Sequence, residues 1–137
     1  MRPSRYNRAW AHWYRRALPT YWLSLFILTH LPKLRIPGEI PQSDKIAHFG
    51  AYGLLAFLLW RFVETFGQPL TSKVAPRLLA LIAAYGVIDE VLQGLVGRSS
   101  DAIDWAADMV GAVGVLAFLE WRRRADASRD MREAGRT

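Results

Sequence analysis

The sequence predicts an all-α fold, a polytopic membrane bundle of four transmembrane helices, and three features carry that expectation. Hydrophobic residues make up 52% of the 137, yet the formal charge is +6, and the two populations are kept apart: apolar residues form long runs, and charges stand between and beyond them. None of the runs shows the two-residue alternation of a membrane strand, so backbone groups that find no water in lipid must pair within helices. Lysine and arginine are distributed unevenly over the connections, as membrane orientation requires. There is no cysteine, which excludes disulfides and thiolate metal sites.

The first run, Ala17 to Leu31, is short. With the flanking Trp13 and Tyr14 it approaches the roughly 20 residues that cross the hydrocarbon. A basic start before an apolar run also resembles a signal peptide. The run closes on Thr29-His30-Leu31-Pro32 without a small-residue cleavage site, so it reads as an uncleaved span. The second run is Ile46 to Val63, the third Leu78 to Val96, the fourth Ala102 to Trp121. Pro32, Pro37, Gly38 and Pro41 mark the first connection, Gly67, Pro69 and Pro76 the second, and Gly97 to Ser100 form a tight third. Ser43 or Asp44 suits the cap of the second helix, Ser100 or Asp101 that of the fourth. The expected organisation is a basic segment over residues 1–16, a transmembrane domain over 17–121 and a basic tail over 122–137. The tail alternates charges with small residues and reads as a short frayed helix or as disordered.

Orientation follows from the basic residues. Arg2, Arg5, Arg8, Arg15 and Arg16, then Arg61, Lys73 and Arg77, then the six arginines after Trp121 share one side; only Lys33, Arg35, Lys45 and Arg98 fall on the other. The bias places both termini in the cytoplasm, in an inner-membrane, multi-pass protein. Trp10, Trp13, Trp22, Trp60 and Trp121 fall near the same cytoplasmic interface, where an aromatic belt is expected.

The polar residues of the spans gather at the opposite end. Asp44, His48 and Tyr52 are spaced i, i+4, i+8 on one face of the second helix, with Lys45 beside them. Asp89, Glu90 and Gln93 close the third span, Arg98 lies in the connection, and Asp101, Asp104 and Asp108 open the fourth at i, i+3, i+7. His30 ends the first span at the same level. Intramembrane charge costs at least about 2.5 kcal/mol per residue near the bilayer centre, so such residues face the bundle interior with partners and mark a site by default. Ion pairs that lock the bundle, and caps at Asp44 and Asp101, are the structural alternatives. Ala47, Gly50, Ala51 and Gly53, and Ala107, Gly111 and Gly114, suit close helix packing. No nucleotide or phosphate-loop fingerprint is present, and the basic ends flank spans, so anionic lipid and not nucleic acid is the expected partner.

Asp44-Lys45-Ile46-Ala47-His48-Phe49 with Tyr52, Glu90-Val91-Leu92-Gln93, and Arg98 followed by Asp104 and Gly111 resemble the VanZ-like family over roughly residues 40 to 120. The family usually carries Asn where this chain has Asp108, which adds a negative charge there. The resemblance implies a polytopic bacterial membrane protein. The family's founding member is associated with low-level resistance to the glycopeptide teicoplanin, and its activity has been likened to that of enzymes exchanging or hydrolysing lipid head groups.

The residue types suggest the same chemistry: a lipid-linked phosphoester handled at the outer face. Lys45 and Arg98 would hold phosphate oxygens, and His48 would be base or nucleophile. Glu90 or Asp104 would orient His48, or with Asp108 hold a divalent cation. Gln93, Tyr52 and Asp44 would bind substrate. The alternative is an envelope protein that binds lipid head groups or a partner without chemistry, with a role in glycopeptide tolerance. Oligomeric state is not readable.

Overall fold

The computed structural model describes residues 6–31, 43–67, 70–95 and 102–136, with side-chain surroundings described from Trp10 in the first segment and from Lys45 in the second. Four helices follow one another: α1 (Tyr6–His30), α2 (Ser43–Glu64), α3 (Val74–Leu95) and α4 (Ala102–Ala134). Among the described residues there is no strand. The 22 residues of α2 and of α3 each span about 33 Å, which matches a hydrocarbon core of about 30 Å. α2, α3 and α4 are long and apolar enough to cross a membrane. α1 is less apolar, because its first half carries arginines. The chain is a helical membrane bundle.

The packing places α2 and α3 in the middle. Each touches all the other helices, and the largest interface joins α2 to α4, whereas α1 and α4 do not meet among the described residues. Leu18 and Leu25 of α1, Tyr52, Leu55, Leu59 and Trp60 of α2, Leu78 and Ile82 of α3, and Ala112 and Leu116 of α4 form the core. The outer faces expose Leu28, Ile46, Ile88, Val91, Leu95, Val110 and Phe118. A continuous apolar surface of this extent suits lipid, not water.

The α2–α4 interface is close because of one glycine. A Cβ on Gly111 would overlap the Phe49 carbonyl oxygen and lie 3.0 Å from its carbonyl carbon. On the other side of the contact, a Cβ on Gly53 would sit 3.5 Å from the Gly111 oxygen. Small residues at such crossings let backbones approach in membranes, where burying apolar side chains gives no net drive.

Two ends differ from expectation. α1 begins at Tyr6, within the basic segment, and α4 does not fray after Trp121 but continues to Ala134. Glu120, buried, accepts hydrogen bonds from Arg123 (Nε and Nη2, both 2.8 Å) and Arg124 (Nε, 2.7 Å), one turn on. Arg123 Nη1 also donates to the Leu70 carbonyl at 3.2 Å, tying the extension to the α2–α3 connection. Ala, Arg, Glu and Met then continue the helix by propensity. At 33 residues α4 is about 50 Å long, about 20 Å more than a hydrocarbon core is thick.

The same end gathers the other arginines. Arg15 donates to the Thr65 hydroxyl and carbonyl, both at 3.0 Å, and Arg61 pairs with Glu64 at 2.6 Å while lying 5.2 Å from the Tyr14 ring centre. Of the tryptophans expected in a belt, Trp60 is a buried core residue and Trp22 packs edge-on against Tyr85 at 5.2 Å, so both serve packing. The opposite end holds the end of α1, the start of α2, the end of α3 and the start of α4.

Candidate functional site

Helix periodicity delivers the polar residues to the interior. On α3 the buried positions are Leu78, Ile82, Gly86, Asp89, Glu90 and Gln93; on α4 they are Asp104, Asp108, Gly111, Ala112, Leu116 and Glu120. Each set follows the three-to-four spacing of one helix face. Carboxylates and core aliphatics therefore share a stripe; Asp89, Glu90, Asp104 and Asp108 lie at one end of it, and Glu120 at the other.

The stripe meets α2 through two pairs. Lys45 Nζ donates to Asp104 Oδ1 at 3.0 Å, with the lysine side chain 34% exposed and the aspartate 11%. One turn deeper, His48 Nδ1 lies 3.0 Å from Asp108 Oδ1, and the two side chains are 10% and 2% exposed. A carboxylate that accepts the Nδ1 proton fixes the tautomer and leaves Nε2 as the basic nitrogen. The two pairs lie on the same α2–α4 interface that Gly111 closes.

A second network joins α1 to α3 around Asp89. The Thr29 hydroxyl donates to Oδ1 at 3.1 Å, Gln93 Nε2 to Oδ2 at 2.8 Å and the Tyr85 hydroxyl to Oδ1 at 3.5 Å, while His30 Nδ1 stands 3.7 Å away. His30 Nδ1 also donates to the Phe26 carbonyl at 2.8 Å. The Thr29 hydroxyl, with one proton to give, also lies 3.0 Å from the Phe26 carbonyl. Tyr52 stands between the two networks. Its ring centre is 6.0 Å from that of Tyr85, and its hydroxyl is buried without a hydrogen-bond partner among the described residues. Glu90 is buried on the same face of α3.

Between α1 and α2 runs a cleft of about 220 Å³. Leu25, Leu28 and Thr29 line one wall; Ala47, His48, Ala51 and Tyr52 line the other. It brings an apolar trough and the His48 imidazole together.

The sequence places Lys45, His48, Tyr52, Glu90, Gln93, Asp104 and Asp108 at one end, and the structure does the same, but their pairing differs. His48 Nδ1 meets Asp108, and Asp104 is taken up by Lys45 one turn earlier. Among the described residues no group of three or more His, Asp or Glu side chains is placed to hold a metal ion. The two aspartates face α2 partners, and Glu90 belongs to α3. Gln93 serves Asp89. Arg98, Asp101 and the Asp44 side chain lie outside the described residues. Sequence reasoning passed over Thr29 and Tyr85 and gave Asp89 no role. The Tyr85–Asp89–Gln93 spacing of i, i+4, i+8 was the available signal.

No curated protein and no solved structure matches the chain significantly. A family model does: the VanZ/LLP1 model matches residues 4–122, which takes in all four helices apart from the α4 extension. The chain is therefore a membrane protein of the VanZ/LLP1 family.

Proposed function

We propose that this protein cleaves the phosphoester head group of a membrane lipid at the outer face of the bacterial inner membrane, with both termini in the cytoplasm. The observation that carries the reading is the buried His48–Asp108 pair, 3.0 Å apart, with the Lys45 ammonium one turn away. A buried imidazole held by a carboxylate is poised as a base, and an ammonium beside it suits a phosphate oxygen.

The step balances with these groups and water. Nε2 of His48 takes a proton from a water molecule whose oxygen bonds to phosphorus. The phosphorus–oxygen bond to the lipid alcohol breaks, and the imidazolium, stabilised by Asp108, returns its proton to the alcohol oxygen. Lys45 neutralises charge on the non-bridging oxygens, and Asp104 holds Lys45 in place. Arg98, from the α3–α4 connection, is the candidate for a second phosphate contact. Basic residues at the opposite end support the orientation.

The test is head-group release from labelled phospholipids and undecaprenyl phosphates by purified protein. His48→Ala abolishes release, and Asp108→Asn lowers it about 10–100-fold, as loss of an orienting partner does. A folded wild type that releases nothing from any lipid class overturns the reading. In that case the Lys45–Asp104 and His48–Asp108 pairs, which also pin α2 to α4, would be head-group binding or locking elements without turnover.

A further inference from the structure

The cleft between α1 and α2 has walls and a mouth that the head-group chemistry does not use. Its walls are Leu25 and Leu28 on α1 and Ala47 and Ala51 on α2. The two alanines are one turn apart, so their small side chains leave a straight trough along α2. The mouth opens on lipid. Leu28 is 64% exposed and Ile46, beside Ala47, 72% exposed, and both belong to the apolar outer surface. At the level of Ala51 the cleft is tied shut, where the Tyr21 hydroxyl donates to the Ala51 carbonyl at 2.8 Å.

The polar end of the same cleft is Thr29 and His48. The imidazole is only 10% exposed, so a reactant reaches it through this trough. Lys45, one turn before His48 on α2 and with a third of its side chain exposed, does not line the cleft; it is held by Asp104 of α4 at the same end of the bundle, near enough along the helix for a head group at His48 to meet it. The shape is a narrow apolar slot ending in a threonine and a histidine, open sideways to the bilayer.

We infer that the α1–α2 cleft holds an acyl chain of a bilayer glycerophospholipid, admitted sideways from the membrane, with its phosphate at Lys45 and His48. This rests on the head-group reading of His48 and Lys45 and adds the chain to it. An unbranched acyl chain suits a trough floored by two alanines, whereas a prenyl chain carries a methyl branch on every unit and needs a wider one. Burial of methylenes in the slot supplies affinity that a free head group lacks, and the lipid-facing mouth removes the need for the substrate to leave the bilayer.

The experiment is native mass spectrometry of the full-length protein in detergent. The protein is incubated separately with dioleoyl phosphatidylglycerol, undecaprenyl phosphate and glycerol 3-phosphate. Wild type retains the phosphatidylglycerol and not glycerol 3-phosphate. Ala47→Phe and, independently, Ala51→Leu fill the trough and lower the retained lipid about tenfold or more. Ala47 is at the exposed rim, so its variant folds even where Ala51→Leu does not. Three results overturn the inference: a folded filled-trough variant that retains phosphatidylglycerol like wild type, retention of glycerol 3-phosphate, or undecaprenyl phosphate as the species that the filled variants lose. Asp108→Asn separates the two readings, since Asp108 does not line the cleft. Unchanged head-group release in that variant sinks the chemistry and leaves the cleft standing. Lipid retained by Ala47→Phe sinks the cleft and leaves the chemistry standing.

Discussion

Gly111→Ala tests the α2–α4 contact most directly. The added methyl would overlap the Phe49 carbonyl oxygen, and it would also meet the carbonyl carbon at 3.0 Å and the Cα at 3.2 Å. All three are backbone atoms, so no side-chain rotation relieves the clash, and α2 and α4 must move apart. Overpacking of this kind costs about 1–3 kcal/mol. The upper half of that range applies here, because separating the helices by about 1 Å also stretches both 3.0 Å pairs, Lys45–Asp104 and His48–Asp108, beyond hydrogen-bond reach. The internal control is Gly114→Ala on the same helix, where nothing lies within 4 Å of the added methyl. There the substitution removes backbone freedom and stabilises by about 0.5–1 kcal/mol. The two single-methyl changes, three residues apart, should thus differ by about 3 kcal/mol. Thermal denaturation of the purified variants in one detergent, followed by circular dichroism, measures the gap. Equal melting of Gly111→Ala and Gly114→Ala would refute the close approach, and with it the register that pairs His48 with Asp108.

Two further outcomes check other parts of the structure. Asp89→Ala leaves the buried Gln93 amide and the Tyr85 hydroxyl without their acceptor, while Thr29 keeps the Phe26 carbonyl at 3.0 Å. The loss should be about 2–4 kcal/mol by thermal denaturation, with Asp89→Asn losing clearly less because one acceptor oxygen survives; an Asp89→Ala protein as stable as wild type would remove Asp89 as the α1–α3 hub. A C-terminal reporter active only in the cytoplasm should be active when fused after Thr137, and activity of an exported-only reporter at that position would move the His48 site to the inner face.

Much of the bundle is legible in the sequence because the apolar runs are long and the breakers fall between them. The two ends at which a helix outruns its apolar run share one cause. Arg15, Arg16 and Arg122 to Arg124 interrupt the apolar pattern, yet arginine is a good helix former, and here each end is anchored by specific partners: Thr65 for Arg15, Glu120 and Leu70 for Arg123. Hydropathy registers the membrane boundary, not the helix boundary. At the site, the face on which Asp104 and Asp108 lie follows from their spacing. Which of them meets His48 depends on how far α4 slides along α2, and that is fixed by the fit of Gly111 against the Phe49 carbonyl, a three-dimensional fact with no signature in either segment alone. Asp89 stands out in the sequence as an intramembrane carboxylate, but its partners do not, because its donors come from two helices, Thr29 on α1 and Tyr85 with Gln93 on α3.

The absence of any α1–α4 contact among the described residues bears on how the chain is built during synthesis. A membrane protein emerges N-terminus first. α1 finds its neighbours, α2 and α3, in the next segments to arrive, so the least apolar of the first three helices is sheltered early. His48 on α2 has no such luck: its carboxylate is 60 residues further along the chain, on the last helix to enter. Lys45 waits for the same arrival. Insertion of α4 is thus the event that both locks the bundle and completes the His48–Asp108 and Lys45–Asp104 pairs, and a chain ending after α3 would have its scaffold begun and neither pair formed.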